Sequence, residues 1–143
     1  PNHEGWRWRN VKQLRTIPGV GPRLAEAVVA LVDDPHRFRT GKQVASYLGL
    51  VPRQCQSGQM DRQGRISGQG DRRVRALLIE VAWIGQRYNP WMRETFERIC
   101  GGSPARRKIA VVVVAVARRL VVRCWAMLRD GTKWSPPSAS QAA

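Results

Sequence analysis

Acidic side chains are scarce in this sequence. Ten Asp and Glu stand against 25 Lys and Arg over 143 residues, which leaves a formal net charge of +15. Because the acids are few and dispersed along the chain, we expect no metal site built from its own carboxylates. A positive excess this large in a small domain favours a polyanionic partner, nucleic acid before an anionic membrane. Most of the positive residues are Arg, whose planar guanidinium binds phosphate oxygens in pairs.

Cysteine and histidine are also few. Cys55, Cys100 and Cys124 are far apart in the sequence and form no Cys-x-x-Cys pair. The sequence therefore predicts neither a disulfide framework nor a zinc site, and it favours a reducing compartment. His3 and His36 are isolated, and we expect neither to ligate a metal.

Long apolar runs are lacking as well. The one long run covers residues 109–117, well short of the roughly 20 residues that span a bilayer, and Arg118 and Arg119 end it. No secretory signal pattern opens the sequence. We therefore expect a soluble, intracellular protein with no membrane partner.

The hydrophobic pattern is helical along most of the chain, and no stretch of useful length alternates as a strand does. Thr40 is expected to cap a helix that Gly49 ends. Asp71 is expected to cap a second helix, which Asn89–Pro90 separates from a shorter one that Gly101 ends. The predicted fold class is all-α, a compact helical domain.

The last helix is predicted over residues 103–129, with Ser103 as its cap. Val111 to Val114 form a β-branched run that by propensity favours a strand. Helical spacing extends over a longer stretch, through Ile109, Val112, Val116, Leu120, Cys124 and Leu128. A pattern of this length exceeds a single strand and predicts a helix.

The composition divides the chain into three parts. Residues 1–9 are expected to be the remnant of an upstream linker, 10–130 the domain, and 131–143, rich in Pro, Ser and Ala, a flexible tail. Trp6 and Trp8 are flanked by arginines and are expected to have packed on the upstream segment. Helical apolar patterns place three other tryptophans in the core, Trp83, Trp91 and Trp125.

A glycine turn between two helical segments, at about residues 11–32, is the first motif with functional content. Gly19 and Gly21 allow a tight turn and a close approach of the backbone to a phosphate, at which the amides of the second segment would point. Arg23 stands beside the turn. The pattern resembles a helix-hairpin-helix motif, a nonspecific DNA-binding element. The alternative is an ordinary turn between helices that uses glycine for tightness.

A long segment rich in Gly, Gln and Arg covers residues 51–70, and loops of this length in compact domains are usually functional or disordered. Its arginines and those of the following helix are candidates for nucleic-acid binding: Arg53, Arg62, Arg65, Arg72, Arg73 and Arg75. Arginines at a helix N-terminus oppose the helix dipole. A polyanionic partner therefore explains them better than the alternative, a solvated charged face.

Ser57 is a candidate nucleophile within this segment. Taken alone, a serine between Gln and Gly is usually an ordinary loop residue, and no hydrolase elbow surrounds it. The neighbouring arginines change this interpretation, because attack on a phosphodiester develops negative charge that guanidinium groups stabilise. Ser67 is the competing hydroxyl and Cys55 the competing thiol.

Several blocks in order resemble the C-terminal transposase domain of the insertion-sequence-110 family. They are residues 14–21 (LRTIPGVG), 45–53 (ASYLGLVPR), 57–58 (SG), 64–67 (GRIS) and 70–78 (GDRRVRALL). The resemblance extends from about residue 10 to residue 130. Several blocks in the right order are more specific than the glycine turn alone.

This resemblance implies a DNA transposase or recombinase guided by a structured RNA, the bridge RNA. In that family the serine that corresponds to Ser57 attacks DNA and forms a phosphoserine link. An N-terminal RuvC-like domain carries an Asp-Glu-Asp-Asp site, where Mg²⁺ is expected. That domain is absent from the sequence given, so the chain alone is not expected to cut or join DNA. The family site combines two subunits, which implies a homo-oligomer, and the implied location is the prokaryotic cytoplasm, associated with the nucleoid.

A different class of function stays open, a noncatalytic helix-hairpin-helix DNA-binding module in which Ser57 has no chemical role. The two classes differ in whether the protein forms a covalent bond with DNA. The recombinase forms a protein–DNA adduct, whereas the binding module shows affinity that falls steeply with salt and no adduct.

Overall fold

The computed structural model describes residues 3–50, 68–101 and 109–136. Within these ranges the chain forms six α-helices and no strand. They are α1 (His3–Leu14), α2 (Pro22–Val32), α3 (Gly41–Tyr47), α4 (Gly68–Ile84), α5 (Pro90–Cys100) and α6 (Ile109–Asp130). Short 3₁₀ turns follow α2 and α4, at Pro35–Arg37 and Gly85–Arg87. The all-α prediction is confirmed.

Several helices end where the sequence predicts. The Thr40 hydroxyl accepts a hydrogen bond from the Gln43 amide at 3.3 Å and caps α3. Gly49 and Gly101 follow α3 and α5 with φ of +70° and +66°, a conformation that glycine adopts at little cost. Asn89 caps α5, because its side-chain oxygen accepts from the Trp91 amide at 3.0 Å.

Helix α6 is the centre of the domain and packs against α1, α3, α4 and α5. It has 22 residues, and its helical structure confirms the prediction made from the spacing of its apolar residues. Its β-branched run is helical because Val112 and Val113 are buried in the core, and this tertiary packing outweighs their propensity for strand. Ile109, at the helix start, is 44% exposed.

The tryptophan predictions are partly right. Trp91 and Trp125 are buried, and the Trp125 indole N–H donates to the Pro35 carbonyl at 2.8 Å. Trp83 is 51% exposed, so its placement in the core is wrong. The residues of α4 that face the core are Val74, Leu78 and Ala82, and position 83 lies on another side of the helix.

Both ends of the described chain differ from the composition-based division. Helix α1 begins at His3 and includes most of the segment expected to be linker. Trp6 is half-buried and packs against the core, whereas Trp8 is exposed. Residues 132–136, expected to belong to the tail, have no regular secondary structure, and Thr132 and Trp134 contact the body. The Trp134 amide donates to the Thr16 hydroxyl at 2.9 Å, and the Trp134 ring meets the ring of Trp91 edge to face.

Candidate nucleic-acid interface

The glycine turn joins the packed helices α1 and α2 and has a fixed conformation. Gly19 adopts a φ of +93°, which side-chain-bearing residues rarely adopt. A Cβ atom placed on Gly19 would lie 3.1 Å from the Cα atom of Gly85, so the turn packs directly on the end of α4. Gly19 is therefore required both by its backbone angle and by this close approach.

Asn89 holds the turn from the other side. Its side chain is 1% exposed, and its amide nitrogen donates to the Pro18 carbonyl at 3.2 Å, while its oxygen caps α5. One side chain thus links the turn to the junction between α4 and α5. The sequence predicts a helix boundary at Asn89–Pro90 but does not reveal this link, because the link joins residues 71 positions apart.

The N-terminus of α2 is open in front of this turn. Gly21 is its N-cap and forms no side-chain cap, and Pro22 has no amide hydrogen to donate. The amides of Arg23 and Leu24 have no carbonyl one turn earlier within the helix, as in the first turn of any helix. Gly21 is exposed, has an ordinary φ of −92°, and has no neighbour within 4 Å of an added Cβ. The space and the free donors suit an anion.

Helices α2 and α4 enclose a groove of about 670 Å³, and this groove brings together two arginines predicted from the sequence, Arg23 and Arg73. Its other lining residues are mainly apolar: Ala27, Ala30, Leu31, Val74 and Leu77, with Glu26 as the acid. Within the described part of the chain, Arg23, Arg72 and Arg73 form no ion pair or hydrogen bond. All three are exposed and available to a partner.

The position of Arg72 and Arg73 in α4 differs from the prediction. Because α4 begins at Gly68, Asp71 lies inside the helix and is not its cap, and the arginines belong to the second turn. The helix dipole acts mainly on the terminal turn, so it opposes these charges less than expected. Their placement therefore costs less stability than the sequence predicts.

Arg75 has a different environment from the other predicted arginines. It is half-buried, and its Nη1 atom donates to the Leu48 carbonyl at 3.4 Å, at the C-terminal end of α3. A Cβ on Gly49 would lie 2.8 Å from the same nitrogen. Its partner in the structure is protein backbone, and its contact with nucleic acid stays a prediction.

The predicted nucleophile lies outside the described residues, as do its competitors and three of the predicted arginines, and so does the predicted cap Ser103. These are Ser57, Ser67, Cys55, Arg53, Arg62 and Arg65. Leu50 is buried, and its amide donates to the Ala45 carbonyl at 2.9 Å.

The described residues that flank the Ser57 segment both lie at α4. On one side Leu48, two residues before the last described residue Leu50, accepts a hydrogen bond from Arg75 of α4. On the other side Gly68 is the first residue of α4, and Arg75 follows it by seven residues, about 10 Å along the helix axis. Arg72 and Arg73 lie between these two points on α4.

A second group of arginines was not singled out from the sequence. Arg98 of α5 and Arg118 of α6 lie near Arg119, whose pKa is lowered by burial and by these two positive neighbours. The available signal was the consecutive pair Arg118 and Arg119 in the middle of an apolar helix. These three guanidinium groups lie close together and form a second positive region on the domain.

The described cysteines do not supply a nucleophile. Both Cys100 and Cys124 are buried. Burial raises the pKa of the Cys124 thiol to about 12, so this thiol stays protonated at neutral pH. Within the three described ranges, no group of three or more His, Cys, Asp or Glu side chains is placed to hold a metal ion.

Comparison with known proteins identifies the family. A family model described as "Transposase IS116/IS110/IS902 family" matches residues 11–97, more than half of the chain. The chain belongs to this transposase family.

Curated relatives agree with this assignment. The chain is 39% identical over 126 residues to a "Probable family 20 transposase" of Pseudomonas aeruginosa, which covers 88% of this chain and 37% of that protein. It is 32% identical over 125 residues to the "Transposase for insertion sequence element IS1111A" of Coxiella burnetii, covering 82% and 32%. It is 30% identical over 120 residues to the "Pilin gene-inverting protein" of Moraxella lacunata, covering 82% and 36%.

This transposase-family chain spans about a third of the length of the curated relatives it matches. Among its described helices, none has the length and apolarity needed to cross a membrane.

Proposed function

We propose that the chain is the serine-bearing, DNA-binding part of a transposase, and that Ser57 is the nucleophile that attacks a DNA phosphodiester. The observation that carries the proposal is the position of the described residues that flank the Ser57 segment. In a chain of this transposase family, Leu48 accepts from Arg75 of α4 on one side and Gly68 begins α4 on the other, so both flanks lie beside Arg72 and Arg73. A serine there would have guanidinium groups close to the phosphate that it attacks.

The proposed step is a transesterification. The Oγ atom of Ser57 forms a bond to phosphorus, the bond from phosphorus to one deoxyribose oxygen breaks, and that oxygen leaves with the proton it needs. The Oγ proton passes to solvent or to a base supplied by the rest of the protein. Arg72 and Arg73 stabilise the charge that develops on the phosphoryl oxygens. The phosphoserine link conserves the energy of the phosphodiester for rejoining.

DNA is bound by the glycine turn and by the groove between α2 and α4. The open N-terminus of α2 offers two amide donors to one phosphate, and Arg23 and Arg73 lie along the groove to bind others. The chemistry also requires Mg²⁺. The described side chains do not group to hold one, and we assign that ion to the acidic site of a RuvC-like domain elsewhere in the complete protein. A guide RNA and a second subunit belong to the same proposal.

The test uses a complete transposase that contains this region, incubated with guide RNA, Mg²⁺ and matched DNA. A denaturing gel then separates protein–DNA adducts from free DNA. We expect an adduct with the parent and with Ser67→Ala, and none with Ser57→Ala. Loss of the adduct in Ser67→Ala alone would identify the other serine and contradict the assignment.

A noncatalytic DNA-binding module is the second candidate, and the turn itself favours it. The fixed Gly19 conformation and the uncapped start of α2 need only a phosphate partner, without chemistry. A chain that binds duplex DNA with a steep salt dependence, in a complete protein that never forms an adduct, would establish this candidate.

A further inference from the structure

Helix α1 turns one face to solvent, and that face combines positive charge with an indole ring. Trp8, Arg9, Lys12 and Arg15, the last directly after the helix, are all exposed. Positions 8, 12 and 15 follow intervals of four and three residues and form one line, with Arg9 beside it. The opposite side of the helix contributes Leu14 to the core. We call the four exposed residues the α1 stripe.

The extended C-terminal segment adds charge at the edge of the α1 stripe. Gln13 donates from its side chain to the carbonyls of Met127 and Thr132, and Thr16 accepts from Trp134. Lys133 is held between these attachments and is exposed. The sequence has no acidic residue from position 5 to 25 or from 131 to 143. The α1 stripe is therefore positive without a neighbouring acid from either segment.

The indole of Trp8 is part of this charged surface. It is 55% exposed, and the Lys12 ammonium lies 5.5 Å from its ring centroid. Trp83 offers a comparison, because it is 51% exposed but packs edge to face on Phe96. Both rings expose a similar share of their surface, and only Trp8 lies within a run of positive charge.

We propose that the α1 stripe binds single-stranded nucleic acid, with an unpaired base stacked on Trp8 and backbone phosphates bound by Arg9, Lys12 and Arg15. A base inside a duplex is covered on both faces by its neighbours, so an exposed indole selects an unpaired one. Residues 8 to 15 extend about 10 Å along the helix, which matches about three nucleotides of a stacked strand.

This site goes beyond the proposed function, which uses the glycine turn and the groove between α2 and α4. The family match begins at residue 11, after Trp8 and Arg9. The inference depends on the proposed function only in taking nucleic acid as the partner. Arg15 directly precedes the turn in sequence, so a strand leaving the turn can continue along α1.

The experiment measures fluorescence anisotropy of the 143-residue chain with labelled oligo-dT and oligo-U of about 12 nucleotides, and with a duplex. Trp8→Ala is expected to weaken binding of the single strands about 5- to 150-fold, the range for loss of one stacked base. The same Trp8→Ala variant is expected to bind the duplex with unchanged affinity. Trp83→Ala, the matched control of similar exposure, leaves both unchanged.

The charged residues give a second readout. Lys12→Gln and Arg15→Gln each lower the slope of log K against log salt for the single strand by about 0.7, the value for one lost phosphate contact. Lys42→Gln, an exposed lysine on α3, leaves the slope unchanged. Equal affinity for oligo-dT and oligo-U indicates recognition of base and phosphate alone, and a preference for one assigns the natural strand.

Three results would overturn the inference: no single-strand binding by the parent, no change in Trp8→Ala, or an equal loss in Trp83→Ala. A circular-dichroism melt confirms that each variant is folded. Failure of the proposed function looks different. In that case the parent does not bind the duplex, whereas failure of this inference alone leaves duplex binding intact.

Discussion

Asn89 offers the sharpest test of how the fold positions the turn. Replacing it with Ala removes the cap of α5, which costs about 1 kcal/mol. It also leaves the Pro18 carbonyl without its side-chain donor in a site where Asn89 is 1% exposed, which adds about 1–3 kcal/mol. The expected total for Asn89→Ala is about 2–4 kcal/mol of unfolding free energy, or a fall in Tm of about 6–12 °C.

Urea denaturation followed by circular dichroism measures this change. Thr40→Ala is the matched control, because Thr40 also caps a helix but is exposed and bonds to no other part of the chain. It is expected to cost about 1 kcal/mol, the cap alone. The difference between the two variants measures the link to Pro18.

Asn89→Asp separates the two roles further. The carboxylate still accepts from the Trp91 amide and caps α5, but it cannot donate to Pro18 and places a negative charge beside that carbonyl. We expect DNA affinity to fall in this variant because the turn is no longer held. If Asn89→Ala is no less stable than Thr40→Ala, the link contributes nothing and the reasoning is refuted.

Two further predictions concern buried groups. Gly85→Ala should lower the unfolding free energy by about 1–3 kcal/mol, because its Cβ would lie 2.6 Å from the Met92 sulfur in the core; Gly21→Ala, with open space around it, should cost less than about 1 kcal/mol. The Cys124 thiol, with its pKa raised to about 12, should resist alkylation in the folded protein at pH 8, as measured by mass spectrometry.

Their controls are simple. Equal stability of the two glycine variants in urea would show that the contact with Met92 is relieved at no cost. Alkylation of Cys124 as fast in buffer as in denaturant would show that it is accessible.

The raised pKa of Cys124 also makes the free energy of unfolding depend on pH. The thiol ionises more readily in the unfolded chain, so its contribution is complete below about pH 9 and is lost as the pH rises toward 12.

Local signals predicted the helix ends well. The boundary residues act through hydrogen bonds or backbone angles that involve only residues a few positions away, so the local sequence is enough to predict them. They are Thr40, Gly49, Asn89 and Gly101. Trp83 was misplaced because a helix that is apolar on more than one side does not reveal which side meets the core. That choice is made by the packing of α4 against its neighbours.

The site was less accessible to sequence reasoning than the helices. Arg23 and Arg73 were both identified, but their meeting in one groove depends on the contact between α2 and α4. Arg75 looked equivalent to Arg73 because they are two residues apart. On a helix that separation turns the side chain by about 200°, which directs Arg75 to the carbonyl of Leu48.

The central position of α6 has a consequence for how the protein is made. Helices α1, α3, α4 and α5 all pack on residues 109–130, and Gln13 bonds to a carbonyl 114 positions later. A nascent chain leaving the ribosome therefore cannot complete its core until the last helix has emerged. Copies of the gene interrupted within α6 would lose the earlier helices too, even with every DNA-binding residue encoded. Such products would be substrates for proteases, so a late stop codon silences the whole domain.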